Sequence, residues 1–289
     1  QMLKEAGLPD GVIIFIPGPG GKVGNPVLKN ENLAGVHFTG STETFQHIWK
    51  TIGTNIDQYK TYPRIVGETG GKDFCLAHES ADIDELATAM IRGAFEFQGQ
   101  KCSAMSRAYI PETIWDELKE KYLSELETVT VGSPRDFTNF MNAVIDKPAF
   151  DSITQYIDYA KNANEAEIIS GGTYNDSEGY YIQPTTILTS DPYFKTMEEE
   201  IFGPVLTIYL YDPADWNSTI DLVDSTSQYG LTGCIMGKDK EAMAQAKDHL
   251  THSAGNFYIN DKPTGAVVGQ QPFGGSRASG TNDKAGSEL

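Results

Sequence analysis

The chain has 289 residues, long enough to bury one large or two medium cores, and 40 acidic against 22 basic residues give it a net charge of −18 at pH 7. That charge disfavours nucleic acid and anionic membrane as partners, and fits a solvated acidic surface. The three cysteines, Cys75, Cys102 and Cys234, form neither a disulfide framework nor a zinc-binding pattern and fit a reducing compartment.

No apolar run reaches the roughly 18 residues that a membrane span requires. Residues 1–11 carry neither the apolar stretch of a signal peptide nor the Arg/Ser bias of a transit peptide. They read as the end of a helix before Gly7-Leu8-Pro9, and the chain stops at 285–289 without a closing element, so the sequence reads as an excerpt from something longer.

In chain order, β-branched runs predict strands at 12–16, 35–39, 64–66, 73–77 and 107–110. A helix is expected over 43–52. A second opens at Asp82, where Asp82 and Glu85 resemble a capping box, and carries Leu86, Ala87, Met90, Ile91, Ala94 and Phe95 on one face. Gly99 is expected to stop it, which leaves Cys102 in a short polar turn. Helices follow at 150–163 and 241–249, and strands at 205–211, 231–236 and 254–259. The alternation predicts an α/β fold with mainly parallel strands. Residues 261–289, rich in Gly, Ser, Asn and Asp, read as a long loop around a site or as a frayed tail.

Three runs carry chemistry. Gly40-Ser41-Thr42-Glu43-Thr44 lies between a strand and a helix, where backbone amides can hold a pyrophosphate, although such turns also occur without a ligand. Glu68 sits beside Gly70 and Gly71, either as a solvated turn residue or as a base whose pKa burial has raised. Cys102, in Gln100-Lys101-Cys102-Ser103, is an inert cysteine or a nucleophile whose thiolate Lys101 favours.

These runs in this order, together with Glu200-Ile201-Phe202-Gly203-Pro204 and Pro272-Phe273-Gly274-Gly275, resemble the aldehyde dehydrogenase superfamily over essentially the whole chain. The resemblance implies NAD as cofactor, Cys102 as nucleophile and Glu68 as base for hydrolysing a thioester. It implies cofactor contacts at Gly40, Ser41, Thr42, Glu43, Thr44, Glu200 and Phe202. Phe45 stands where many members have glycine.

The stretches 100–104 and 260–275 look like the glutamate semialdehyde (pyrroline-5-carboxylate) branch of that family. That likeness assigns Lys101, Ser103, Gly265, Ala266 and Phe273 to the substrate. It implies the end of a Rossmann-like NAD-binding domain at 1–67, a parallel-sheet catalytic domain at 68–260, and a substrate-anchor loop with a truncated C-terminal segment at 261–289. It further implies a homo-oligomer at full length, located in the mitochondrial matrix if the source is eukaryotic and otherwise in the cytoplasm. The alternatives are a different semialdehyde as substrate, or a catalytically incompetent domain. The family's oxyanion-hole asparagine and adenosine-binding lysine match no segment here, so the isolated chain is expected to have little activity.

Overall fold

A computed structural model describes residues 1–267 and 269–287; Val268, in the expected anchor loop, and Glu288 and Leu289 lie outside the described residues. The chain divides into two compact units, residues 1–38 with 43–66, and residues 39–42 with 67–289.

In the first unit the strand Gly35–Thr39 pairs with Arg64–Glu68. The helix Thr42–Thr54 buries Phe45, Ile48 and Ile52, and Leu28, Leu33, Ile48 and Ile52 form a small core. Phe45 occupies this unit productively: its ring stacks on Phe38 at 5.9 Å and meets Trp49 edge-on at 5.5 Å. The strand expected at 12–16 is absent. Val12, Ile13, Ile14, Phe15 and Ile16 are all exposed, and among the described residues no strand pairs with them. An apolar β-branched run forms a strand only when a neighbour takes its backbone hydrogen bonds.

The second unit is built on a seven-stranded sheet in the order Asn256–Ile259, Thr232–Met236, Asp73–Ala77, Met105–Pro111, Val205–Tyr211, Thr185–Thr189, Ala166–Ser170. Every neighbouring pair is parallel except the last. Central strands of such a sheet are covered on both faces, and Asp73–Ala77 is accordingly buried at every residue.

Alternation along that strand sorts the two cores. Phe74 and Leu76 pack with Phe150, Ile153, Ile157, Ile220 and Val223 on one face, while Cys75 and Ala77 pack with Leu86, Met90, Phe95, Leu118 and Tyr122 on the other. The mixed α/β fold with a mainly parallel sheet is the one expected. Among the described residues no helix is long and apolar enough to cross a membrane.

The helix Ile83–Phe95 leads into the turn that carries Cys102. Its N-cap is Asp82, whose carboxylate accepts from the Asp84 and Glu85 amides at 3.2 and 3.3 Å, and all six residues expected on its apolar face are buried. It ends at Phe95, ahead of Gly99, because Phe97, Gln98 and Gly99 all take left-handed conformations, with φ of 55°, 58° and 64°.

Such a conformation costs about 1–2 kcal/mol for each non-glycine residue, so the surroundings must hold it. The Gln98 side chain donates to the Ala143 carbonyl at 3.3 Å and accepts from the Asn142 amide at 3.1 Å, and Gln100 accepts from the Ile145 amide at 2.9 Å. The turn that presents Cys102 is therefore fixed by contacts with the 142–145 segment.

Candidate active site

A cavity of about 880 Å³ opens within the second unit. Its walls come from four places: the turn after the first unit's strand (Thr39, Gly40, Ser41), the glycine run (Thr69, Gly70), the nucleophile turn (Gln100 to Ser103), and the C-terminal loops (Thr264, Gly265, Ala266, Gln271, Phe273), with Glu200 and Phe202 between them. Of the residues singled out in the sequence, Gly40, Ser41, Lys101, Cys102, Ser103, Glu200, Phe202, Gly265, Ala266 and Phe273 line this one space. Among the described residues of 261–287, Thr264, Gly265, Ala266, Gln271 and Phe273 line the cavity, in keeping with a loop around a site.

Glu68 is not among the lining residues, although Thr69 and Gly70, which follow it, are. Its charge nevertheless acts on the Cys102 thiol. The backbone around Glu68 is clamped: its carbonyl accepts from the Gly40 amide at 3.2 Å, the Thr69 amide donates to the Ser279 carbonyl at 2.9 Å, the Thr281 amide donates to the Gly67 carbonyl at 2.9 Å, and the Gly67 amide donates to the Thr281 hydroxyl at 3.1 Å. The Thr42 hydroxyl donates to the Ala278 carbonyl at 3.2 Å rather than lining the cavity. Glu43 and Thr44 belong to the first unit, in the opening turn of the helix Thr42–Thr54.

The sequence expectation that Lys101 favours the Cys102 thiolate is overturned. Burial pushes the Cys102 thiol up to about 12, the charges of Asp73, Glu68 and Glu200 push the same way, and the Ser103 amide opposes them. Lys101 is not among the main influences on that thiol, and its ammonium is paired with Glu96 at 2.9 Å. A raised pKa favours the thiol over the thiolate, so a nucleophilic role for Cys102 would require its proton to be taken up elsewhere.

Glu200 reaches the cavity from a fixed point, with its Oε1 accepting from the Gly71 amide at 2.9 Å. Burial raises its pKa, opposed by that amide and by Lys72. Elsewhere in the lining, the Ser103 and Thr264 hydroxyls are hydrogen-bonded at 2.7 Å. Gly265 follows with φ of 96°; the space around it is open enough for a Cβ, so it is the left-handed backbone that calls for glycine here.

Sequence reasoning missed the charged layer beneath the glycine run. Lys72, Asp73 and Arg107 are all buried. Arg107 Nε donates to the Lys72 carbonyl at 2.8 Å, and its guanidinium also bonds the Tyr109 hydroxyl and the Val223 carbonyl and lies 5.5 Å from the Phe74 ring centre. Asp73 Oδ1 accepts from the Thr232 amide at 2.7 Å.

Lys72 Nζ makes no hydrogen bond among the described residues. Burial lowers its pKa to about 7, helped by Arg107 and opposed by Glu200. Burial raises Asp73 to about 8, opposed by its bonds to Thr232. A Lys-Asp pair after a glycine turn reads as surface, and only the apolar run that follows hinted otherwise. Thr264 also escaped notice, although it stands beside Gly265 in a run already singled out.

This arrangement has relatives. A Dictyostelium discoideum protein named Delta-1-pyrroline-5-carboxylate dehydrogenase, mitochondrial, is 54% identical over 291 residues, spanning 100% of this chain and 52% of that protein. A Bos taurus protein of the same name is 48% identical, over 99% of this chain and 51% of its own. The crystal structure of the Mycobacterium tuberculosis Delta-pyrroline-5-carboxylate dehydrogenase bound with NAD superposes with a TM-score of 0.92 at 49% identity, covering 99% of this chain and 52% of that one. The chain thus spans about half the length of the relatives it matches. Its residues 1–289 fit the profile described as the aldehyde dehydrogenase family, and the chain belongs to that family.

Proposed function

We propose that the protein carrying this chain oxidises L-glutamate 5-semialdehyde, the open form of 1-pyrroline-5-carboxylate, to L-glutamate with NAD. The observation that carries this reading is the cavity itself. The partly buried Cys102 shares one cavity lining with Glu200, the 40–41 turn, Ser103 and the 264–266 loop. The names of the relatives and the NAD bound in the Mycobacterium tuberculosis structure support it.

The residues present fit the cofactor. Glu200 is an acceptor-only carboxylate held still by an amide, which is the chemistry that ribose hydroxyls require. Gly40 and Ser41 supply a strand-to-helix turn for a phosphate, and Phe202 an apolar face. NAD, when bound, takes up the hydride that leaves the substrate carbon.

The chain's own residues account for the remaining chemistry. The Cys102 thiol adds across the aldehyde: its sulfur bonds to the carbon and its proton passes to the carbonyl oxygen, forming a thiohemiacetal; loss of hydride from that carbon and of the hydroxyl proton to solvent leaves a thioester. Glu68 takes a proton from water, the hydroxyl adds to the acyl carbon, and the carbon–sulfur bond breaks to release the acid and restore Cys102. A positioned base of this kind contributes roughly 10²–10⁴ in rate. Ser103, Gly265 and Ala266 hold the α-carboxylate, and Phe273 packs on the aliphatic chain.

Residues 1–67 act as the end of the nucleotide-binding domain, 68–260 as the catalytic domain and 261–289 as the anchor segment. The working protein is a homo-oligomer, in the mitochondrial matrix where the source is eukaryotic. The test is NADH formation by the full-length polypeptide from L-glutamate 5-semialdehyde and from propanal. A strong preference for the semialdehyde is expected, and indifference between the two overturns the assignment.

A further inference from the structure

The nucleophile turn and the 264–266 loop are tied by a side-chain hydrogen bond, Ser103 Oγ to Thr264 Oγ1 at 2.7 Å. Both residues line the cavity, and both are buried, at 7% and 3% exposure. Each hydroxyl has one proton to donate and lone pairs that accept. The bond between them uses one proton and leaves the other free to be directed elsewhere.

The two ways of making that bond differ in what they offer a ligand. If Ser103 donates to Thr264, the serine proton is committed, only lone pairs remain on Ser103, and the proton left to direct is the threonine's. If Thr264 donates, Ser103 keeps its own proton, and the donated bond polarises the serine hydroxyl into a stronger donor. A carboxylate held at Ser103, as the functional reading has it, selects the second arrangement; an aldehyde without a carboxylate has no preference between them.

We propose that Thr264 is a positioning residue for a carboxylate-bearing substrate: by donating to Ser103 Oγ it turns the serine proton toward the substrate's carboxylate. This rests on the functional reading above and deepens it, because it assigns substrate discrimination to a side chain that acts through Ser103. The β-branched threonine also restricts its own rotamers, so the hydroxyl is held in place at low entropic cost.

The test compares two aldehydes with the full-length polypeptide. Thr264→Val keeps the shape and removes the hydroxyl. It is expected to raise KM for L-glutamate 5-semialdehyde about tenfold, the worth of one good hydrogen bond, while kcat and KM for propanal stay within about twofold. Thr264→Ser is expected to retain the preference for the semialdehyde. In a Ser103→Ala background, Thr264→Val is expected to add no further loss, because the two hydroxyls act as one unit.

Equal losses with both aldehydes, no loss with the semialdehyde, or additive losses in the double variant each overturn the proposal. If Thr264→Val does not fold, a Thr264→Ser protein that loses the preference overturns it equally. Failure of the underlying functional reading is seen separately, as indifference between the two aldehydes before any substitution is made.

Discussion

Gly71 is wedged between Cys102 and Asp73: a Cβ added there would stand 2.2 Å from the Cys102 carbonyl oxygen and 2.6 Å from Asp73 Oδ2. The same residue donates its amide to Glu200 at 2.9 Å. One position without a side chain therefore sets the spacing of the Cys102 backbone, the buried Asp73 carboxyl and the Glu200 carboxylate. Gly71→Ala must displace the backbone of Cys102. Because misplacements of about 1 Å cost on the order of 10² in rate, the variant should lose at least that much in kcat/KM, together with a lower melting temperature. Near-normal kinetics in Gly71→Ala would show that this wedge does not set the site.

Thiol labelling reads the state of the nucleophile. Cys75 and Cys234 are fully buried and Cys102 only partly so, so iodoacetamide should modify Cys102 alone while the protein is folded. With the thiol pushed up to about 12, the labelling rate should climb about tenfold per pH unit from neutral to about pH 10 without a plateau. A plateau near neutral pH would mean that the thiolate is stabilised in the free protein.

Much of this was legible in the sequence. The apolar strand-helix alternation announced the sheet, Asp82 marked its helix start, and the Cys102 turn followed from the end of that helix. Pair relationships across the chain were not legible. Ser103 and Thr264 are 161 residues apart, and nothing local marks Glu96 as the partner that occupies Lys101. Lys72 and Asp73 carry residue types that usually face water, and only the fold, which places them behind a glycine turn at the start of a central strand, buries them. The left-handed Phe97 and Gln98 are likewise imposed by tertiary contacts rather than by their own preferences.

Asp73 gives the stability a pH dependence. Its pKa is raised from the ordinary carboxylate range to about 8, so the folded form holds a proton that the unfolded form releases. The stabilising contribution is full below about pH 4 and is lost as pH rises through about 8. Asn cannot ionise and can still accept from the Thr232 amide, so the melting-temperature advantage of Asp73→Asn over the parent should grow from about pH 5 to about pH 8, by roughly 2–4 °C or more. Melting curves at several pH values check this; an advantage that is flat or shrinks with rising pH contradicts it.

The most direct test of the proposed chemistry is to remove the base and look for what accumulates. With Glu68→Gln in the full-length polypeptide, mixed with NAD and L-glutamate 5-semialdehyde, the nucleophile should still be acylated while hydrolysis slows by roughly 10²–10⁴. The expected result is a burst of about one NADH per site followed by near-arrest, with peptide mass spectrometry placing the glutamyl thioester on Cys102. Sustained turnover without an adduct, or an adduct on Cys75 or Cys234 instead, would contradict the account.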